Sequence, residues 1–270
     1  MIERSTWTLR KWRAVFGIYI QDGVAYRASM FIWIMTDVIT AVTMPLVWAR
    51  ASGNGVIAGY TAGDFVLYYL CLLLLQNFVT SHMMWDIAME IKEGQFTLAL
   101  VRPISFFQFT FMRNLAWRFL RLVLFTPIFG VLVWMYHPFL LNVHLHLGWE
   151  FWVAVLLGHL VSISFVLMMS MLALFVQEAQ SIFELYYVPM LFLSGQLFPV
   201  SVMPGWVRSI VPFFPFYFTT GAPTEILVGR VSGDAAIHVI AMQLMWIGIA
   251  VVVGKVLWRY GLRQYTAVGM

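Results

Sequence analysis

Six long apolar stretches, separated by short polar links, constrain this chain more than any other feature. They cover residues 28–49, 64–84, 106–135, 149–176, 182–200 and 235–257. A helix needs about 20 apolar residues to cross the hydrocarbon core of a bilayer, and each stretch supplies about that many or more. The sequence therefore predicts an all-α polytopic membrane protein with six transmembrane helices.

The composition excludes a water-soluble fold. Hydrophobic residues make up 62% of the chain and charged residues only 10%, whereas soluble domains carry about 25% charged residues. Cys71 is the only cysteine, so there is no disulfide framework. The chain is basic, but its basic residues lie beside apolar segments, which favours contact with lipid headgroups over contact with nucleic acid.

The basic residues also predict how the chain is oriented. Thirteen of the sixteen Lys and Arg residues lie in the N-terminal segment, in the link between the second and third stretches with the start of the third, and at the C-terminus. The other side carries only Arg50, Arg208 and Arg230. Because cytoplasmic loops are enriched in Lys and Arg, we expect both termini and the link after the second span to be cytoplasmic.

Residues 1–27 form a basic and aromatic segment ahead of the first span. Leu9, Trp12, Phe16 and Tyr19 fall on one face at helical spacing. This pattern predicts an N-terminal amphipathic helix that lies in the membrane interface, with its basic side toward anionic headgroups. A solvated N-terminal tail is the alternative.

A polar link, residues 86–105, separates the second and third stretches. Asp86, Glu90 and Glu93 follow one another at i, i+4 and i+7, which places the three acids on one helical face. Gly94 is a typical helix end. This acidic stripe predicts a docking face for another protein, and a solvated helix face is the alternative.

Two further features of the polar link concern movement. Arg102 and Pro103 form a stiff corner before the third span, and this corner is expected to transmit a push on the acidic stripe to that span. The short link at residues 177–181 carries Glu178 and predicts a second, smaller cytoplasmic contact.

Helix start signals occur at three places. Ser105 with Gln108, and Ser181 with Glu184, have the spacing of a capping box. Asp234 is expected to cap the helix of the last stretch.

Asp37 is the clearest acid within a span. It lies about nine residues, or roughly 13 Å, into the first span, where a carboxylate is costly unless it is paired or protonated. Arg118 and Arg121 approach from the same side of the membrane, so the sequence predicts an intramembrane pair of Asp37 with one of them. A substrate-contacting or proton-carrying role for Asp37 is the alternative. Arg113, on the same span, is expected to snorkel to the interface.

A proline-rich segment, residues 199–234, separates the last two stretches. It is too apolar for a solvated loop and too broken for a span, which predicts a re-entrant extracellular hairpin of short helices. The positions that define this outer hairpin are Gly195, Pro199, Pro204, Pro212, Pro215, Pro223 and Gly229.

Three segments resemble the permease subunits of ABC-2-type transporters, in the six-span branch grouped with drug and antibiotic exporters. Residues 91–105 read I-K-E-G-Q-F-T-L-A-L-V-R-P-I-S and are similar to the family's "GxL…LLxRPI" element. Residues 192–206, F-L-S-G-Q-L-F-P-V-S-V-M-P-G-W, resemble the start of its outer hairpin, which continues through residues 212–217 and 223–229. Residues 258–269, W-R-Y-G-L-R-Q-Y-T-A-V-G, resemble its "W…GLxxYxxxG" ending.

The resemblance implies one transmembrane domain, residues 1–270, with a type V exporter-like fold in a bacterial plasma (inner) membrane. It implies a homodimer, or a heterodimer with a sister permease, driven by separate ATPase subunits that hold the ATP and Mg. The polar link would be the coupling helix and the outer hairpin the outer gate. Together with the polar residues described above, it implies ATPase coupling through Asp86, Glu90, Lys92, Glu93, Gly94, Arg102, Pro103 and Glu178.

The residues themselves agree that this chain is not an enzyme and binds no cofactor. None of its three lysines lies in the G-x-x-x-x-G-K-[ST] pattern that cradles ATP phosphates. Few charges line the spans, which favours export of an amphipathic or hydrophobic compound such as a drug, an antibiotic or a lipid-like product.

Three other functions remain as alternatives. An exporter of polysaccharide or glycolipid shares the ABC-2-type plan, but more polar and aromatic residues are expected along its first and fifth spans. A secondary transporter would require several intramembrane charges and an internal repeat. A membrane enzyme would require catalytic polar groups clustered at one level.

Overall fold

The computed structural model describes residues 2–53, 55–141 and 143–266, with side chains from Arg10 onward. This part of the chain is built of α-helices and short 3₁₀ turns, as the predicted all-α class requires. The side chain of Leu9 and residues 267–269 of the C-terminal motif lie outside the described residues. The helices are α1 (Ile2–Ala25), α2 (Arg27–Ser52), α3 (Ala62–Val79), α4 (Met84–Lys92), α5 (Phe96–Val101), α6 (Phe106–Leu140), α7 (Trp149–Ser170), α8 (Ala179–Leu193), α9 (Gly205–Ile210), α10 (Phe216–Thr219), α11 (Gly221–Leu227) and α12 (Asp234–Gln264).

Five segments of the described chain are long and apolar enough to cross a membrane. They are α2, α3 together with α4, α6, α7 with the 3₁₀ turn that follows it, and α12. The predicted fifth span corresponds to α8, whose 15 residues extend only about 22 Å. Gly195, at a φ of 89°, and Pro199 follow soon after α8 ends. A sixth crossing stays a prediction.

Helix α3 lies at the centre of the bundle and is buried on nearly every side. Val66, Leu70 and Leu73 pack with side chains of α2 and α6. Leu67 and Leu75 pack with α7, α11 and α12. Helix α3 therefore contacts both the neighbouring spans and α11 of the segment after α8.

Helix α1 packs against the first half of α6. The rings of Phe16 and Phe119 are 6.1 Å apart, and those of Tyr19 and Phe109 are 5.2 Å apart. A Cβ atom on Gly23 would lie 2.2 Å from a methyl group of Leu120, so a larger residue there would displace that side chain. Part of the apolar face predicted to enter the lipid therefore packs on α6, and the interfacial position of α1 stays a prediction.

Helices α7 and α12 run side by side in the same direction. Gln243 donates to the carbonyl oxygen of Ala154 over 2.8 Å, and farther along the pair Gly254 faces Met168. A Cβ on Gly261 would lie 2.6 Å from Leu174. Gly261 therefore allows close packing near the end of α12.

None of the three predicted side-chain caps forms, although Ser105 is the N-cap residue of α6. Ser105 precedes α6, but its side chain makes no capping bond. Helix α8 already begins at Ala179, so Ser181 lies inside its first turn. Asp234 is the first helical residue of α12 and Gly233 is its N-cap. The capping box that forms is at α3, where Thr61 and Asp64 each accept from the other's backbone N–H.

Candidate functional site

The polar link folds into α4, a turn and α5, and both helices are anchored by apolar side chains. Helix α4 buries Met84, Ile87, Ala88 and Ile91. Gly94, at a φ of 75°, ends that helix, because glycine adopts the left-handed region without strain. Phe96 then begins α5 as a fully buried side chain.

Phe96 connects the polar link to the end of α12. Its ring lies 5.2 Å from that of Phe106 and 5.8 Å from that of Trp258, both edge to face. Tyr265 approaches the same ring at 5.4 Å. The described part of the C-terminal motif therefore packs against the polar link.

An inner cluster of apolar side chains joins α4 to the ends of several other helices. It comprises Met83, Met84, Ile87, Ala88, Ile91, Phe96, Phe106, Val166, Met171, Leu174, Ala179 and Phe183. These residues come from α4, α5, α6, α7, the 3₁₀ turn Met171–Leu174 and α8. A displacement of α4 must therefore move these helix ends or separate them, since packed apolar cores resist voids.

The acidic stripe is largely occupied by a contact within the chain. Arg113 of α6 lies 3.4 Å from Asp86 and 2.5 Å from Glu90, and its side chain is only 17% exposed. Arg113 also lies over the ring of Tyr19, 5.8 Å from its centre. Two carboxylates therefore hold Arg113 against α4, and its position at the membrane interface stays a prediction.

Tyr19 completes this contact from the N-terminal helix. Burial raises the pKa of its phenol to about 12, and the nearby Arg113 partly opposes that rise. The phenol therefore stays neutral at physiological pH and adds no negative charge beside Arg113 and the two acids.

The remaining polar positions of the link are exposed. Glu93 accepts from the amide of Gln95 over 2.9 Å. Lys92 pairs with Glu178 at 3.3 Å, so the two cytoplasmic links predicted from the sequence meet here. Both side chains are largely in solvent (45% and 71% exposed), and such pairs contribute only about 0–1 kcal/mol. Pro103 is also exposed.

Helix α5 presents an apolar outer edge. Leu98 is 60% exposed and Val101 is 74% exposed. The guanidinium of Arg102 lies over the ring of Phe109, 5.0 Å from its centre. The tip of the polar link therefore combines exposed apolar side chains with charges of both signs.

Of the two intramembrane pairs predicted for Asp37, the structure forms the one with Arg121. The guanidinium of Arg121 donates to the Asp37 carboxylate, joining α2 to α6. Arg118 instead points toward the second span. The sequence could not separate these two arginines, because they lie within one turn of each other on α6.

Arg118 supplies hydrogen-bond donors to the backbone where the second span is interrupted. Helix α3 ends at Val79 and α4 begins at Met84. The guanidinium of Arg118 donates to the carbonyl oxygen of Val79 over 3.0 Å and also to that of Thr80. Its Nε donates to the side-chain oxygen of Asn114 over 2.8 Å. Non-helical backbone inside a membrane protein requires such partners, and a cation suits the negative end of a helix.

Side chains of α6 and α7 bind the other polar groups at this interruption. Ser162 of α7 accepts from the backbone N–H of Ser81 over 2.8 Å. Asn114 donates to the Ser81 hydroxyl over 2.7 Å, and His159 lies 3.2 Å from the Val79 carbonyl oxygen. A cavity of about 20 Å³ lies beside the break, which is room for about one water molecule.

The outer hairpin is a run of short helices that begin at prolines. Pro199 precedes a 3₁₀ turn, Pro204 precedes α9, and Pro215 precedes α10. Pro212 lies in the 3₁₀ turn Val211–Phe213 and Pro223 in the first turn of α11. The fixed φ of proline suits these first turns, which lack intrahelical acceptors for their N–H groups.

Glycines mark two other corners of the outer hairpin. Gly195, at a φ of 89°, turns the chain after α8, and Gly229, at a φ of 75°, turns it after α11. A Cβ on Gly195 would lie 2.6 Å from the hydroxyl of Tyr68. Glycine is therefore required there both by conformation and by the close approach of α3.

The outer hairpin packs against the neighbouring spans well past the points where they start. Gln243 donates to the carbonyl oxygen of Phe218 over 2.9 Å, and Gln243 lies about 13 Å along α12 from its start. The rings of Phe216 and Phe165 are 6.4 Å apart, and Phe165 lies about 24 Å along α7.

Glu225 was not among the predicted site residues, although it is 3% exposed within this hairpin. Its carboxylate accepts from the backbone and hydroxyl of Ser201 over 3.2 and 2.9 Å. It also accepts from the phenol of Tyr217 over 2.7 Å. An acid inside an otherwise apolar, proline-rich segment was the signal in the sequence.

Metal binding finds no support in the described residues, where no three His, Cys, Asp or Glu side chains come together as metal ligands would. The described polar features are an anchored link at one end, an interrupted span, and a packed hairpin at the other end.

A comparison with protein-family models gives one match to this chain. The model described as "ABC-2 family transporter protein" matches residues 31–269. No curated protein matches the sequence. The family match covers the polar link, the interrupted span and the outer hairpin.

Proposed function

This chain belongs to the ABC-2 family of transporter proteins, and on that premise we propose that it is the permease subunit of an ATP-binding cassette exporter. Membership of the family implies a partner ATPase subunit. In the proposal ATP and Mg are bound by that partner alone, and this chain contributes movement rather than chemistry. The observation that carries the proposal is the polar link, whose exposed tip is fixed to the ends of several spans.

The ATPase subunit would dock on the exposed tip of the polar link rather than on the acidic stripe as a whole. Asp86 and Glu90 already face Arg113, so binding through them would require that contact to break. Leu98 and Val101 are free to enter an apolar groove. Desolvated apolar side chains at the centre of an interface, with charges at its rim, are typical of binding hot spots.

The charges around these two side chains would form the rim. Glu93 and Arg102 are exposed on the polar link, and the pair of Lys92 and Glu178 joins the second cytoplasmic link to the same surface. Exposed charges of this kind contribute more to orientation and to the association rate than to affinity.

Movement of the ATPase would be transmitted to the spans mainly through two sets of contacts, which are the first two routes. The inner cluster connects α4 to α7, α8 and the end of α12, and Arg113 connects α4 to α6. The corner at Pro103 is a third route, but it is exposed and offers little packing to transmit force. Because packed cores are bistable rather than compliant, the first two routes are better suited to moving whole helices.

The substrate would be amphipathic or hydrophobic, for instance a drug, an antibiotic or a lipid-like compound. The support is the near absence of unpaired charges along the described spans, where the Asp37 carboxylate meets Arg121. A substrate-contacting or proton-carrying role for Asp37 stays an alternative. The second candidate function, export of a polysaccharide or glycolipid, would use the same coupling apparatus.

The proposed arrangement places both termini in the cytoplasm of a bacterial inner membrane, with a second permease copy or a sister permease as partner. The outer hairpin would dip into the outer leaflet and act as the outer gate. Its packing well past the starts of α7 and α12 supports the re-entrant position.

Co-purification with the ATPase subunit tests the docking surface. We expect Leu98→Asp with Val101→Asp to release the ATPase from the purified complex, since two carboxylates would enter an apolar groove. Leu145→Asp is the matched control, because Leu145 is also about half exposed but lies in the link between α6 and α7. Retention of the ATPase by the double variant, at the level of the control, would contradict the proposed surface.

A further inference from the structure

A closed ring of contacts joins the outer hairpin to the loop before α3. The Glu225 carboxylate accepts from the Ser201 hydroxyl, which lies 2.8 Å from the phenol of Tyr60. The guanidinium of Arg230 stacks on the Tyr60 ring, 4.1 Å from its centre. The backbone N–H of Arg230 donates back to the Glu225 carbonyl oxygen over 2.8 Å, which closes the ring.

The same ring is fixed to the start of α3. Arg230 pairs with Asp64 at 3.0 Å, and Asp64 is also the acid of the capping box with Thr61. Both side chains of the Arg230–Asp64 pair are about 30% exposed. The start of α3 and the end of the hairpin therefore share one carboxylate.

Two tyrosines of α3 hold the first residues after α8. Tyr68 donates to the carbonyl oxygen of Gly195 over 2.9 Å, and Tyr69 donates to that of Leu197 over 2.7 Å. Trp48 of α2 donates in turn to the Tyr69 hydroxyl over 2.9 Å. We call these residues, together with the ring around Glu225, the outer clamp: Trp48, Tyr60, Asp64, Tyr68, Tyr69, Ser201, Tyr217, Glu225 and Arg230.

The phenols of the outer clamp remain donors at any physiological pH. Burial raises the pKa of Tyr217, and the neighbouring Glu225 raises it further. Burial also raises the pKa of Tyr60 above its ordinary value. Since buried polar groups are costly to leave unpaired, parting the hairpin from α3 would break several such bonds at once.

Contacts between the outer hairpin and α8 are of a different kind. The rings of Tyr186 and Phe216 meet at 5.1 Å, and within the described residues no side chain of α8 makes a hydrogen bond to the hairpin. Leu185 and Val188 of α8 are largely exposed. Aromatic contacts of this sort slide at lower cost than a network of buried hydrogen bonds.

We propose that the outer clamp makes the hairpin and α3 one rigid body, so that the outer exit opens between this body and α8 and not by the hairpin swinging away from α3. Glu225 is the positioning residue, because its two oxygens bind separate segments of the hairpin. This inference rests on the proposed function of the hairpin as the outer gate.

Two thiol cross-links in the permease–ATPase complex distinguish the two ways of opening. Both are made in a Cys71→Ser background, since Cys71 is the only cysteine. Asp64→Cys with Arg230→Cys, joined by a short bifunctional reagent, locks the hairpin to α3. Tyr186→Cys with Phe216→Cys, joined by the same reagent, locks the hairpin to α8. Each double variant without reagent is its own control.

The clamp lock should leave ATP hydrolysis within about twofold of its control, while the α8 lock should slow it by about tenfold or more, as expected when a required opening step is blocked. The clamp pair should also cross-link at the same rate in the nucleotide-free complex and in the complex trapped with ATP and vanadate, whereas the α8 pair should cross-link at different rates.

The proposal is overturned if the clamp lock slows hydrolysis as much as the α8 lock, if neither lock slows it, or if the clamp pair reacts at different rates in the two states. A failure of the proposed function has another signature. In that case no ATPase accompanies the unlocked protein, or its hydrolysis is indifferent to vanadate.

Discussion

Replacing Arg118 by leucine should destabilise the protein, because this arginine alone satisfies most of the interruption in the second span. The substitution removes the donors to the carbonyl oxygens of Asn77, Val79 and Thr80 and to the side chain of Asn114. The Val79 oxygen keeps His159 as a partner, so three acceptors are left unpaired. Each buried acceptor left unpaired costs about 1–3 kcal/mol. The lower end of that range applies, because removing a buried cation also relieves the cost of burying it.

Three acceptors at about 1 kcal/mol each give a loss of about 3 kcal/mol, or a fall in melting temperature of roughly 6–12 °C for a chain of this size. Arg118→Lys should lose about half as much, since an ammonium is a compact charge that cannot span the same acceptors. Thermal unfolding in detergent, followed by the emission of the twelve tryptophans, measures the effect.

Arg50→Leu is the matched control, because Arg50 is exposed at the outer end of α2. Surface substitutions of this kind change stability by about 0.5 kcal/mol or less. If Arg118→Leu melts within the same margin as Arg50→Leu, the guanidinium is not what holds the interrupted span, and the reasoning is refuted.

Two further predictions concern the ends of α3 and α4. Thr61→Ala should lower the free energy of unfolding by about 1 kcal/mol, because it removes half of the capping box. Ser105→Ala should leave the melting temperature unchanged, since that hydroxyl makes no capping bond. Equal shifts in melting temperature for the two variants would contradict the observed caps. Ile87→Ala should uncouple ATP hydrolysis from transport because Ile87 is 1% exposed within the inner cluster, while Pro103→Ala, at an exposed corner, should leave the ratio of the two rates nearly unchanged. If Pro103→Ala uncoupled the two rates more than Ile87→Ala, the movement would be transmitted through the corner at Pro103 instead.

Features with local causes were predictable from the sequence. The spans follow from the length of apolar runs, and Gly94 ends a helix because of its own conformational freedom. The prolines of residues 199–223 likewise begin short helices through their own fixed φ. None of these features requires knowledge of a neighbouring helix.

Features that depend on how helices face one another were not predictable. Arg118 and Arg121 lie within one turn of α6, and only the packing of α2 and α3 around that helix sends one to Asp37 and the other to the break after Val79. The sequence alone predicts that Arg113 lies at the membrane interface. Only the fold shows that α4 places Asp86 and Glu90 beside it. Hydrophobic periodicity indicates which residues share one face of a single helix. It does not indicate how two helices are rotated relative to each other.

By itself the sequence determined that this chain is a helical membrane protein with a polar link after its second span, an outer hairpin of short helices and a family resemblance that the match to residues 31–269 confirmed. Only the tertiary structure decided which charges are already paired within the chain and which apolar side chains of the link are exposed. It also decided that Glu225 joins two segments of the hairpin and that Arg230 pairs with Asp64 of α3. The physical reason is that composition and spacing set the cost of burying a group, whereas the partner that offsets this cost is supplied by another part of the chain.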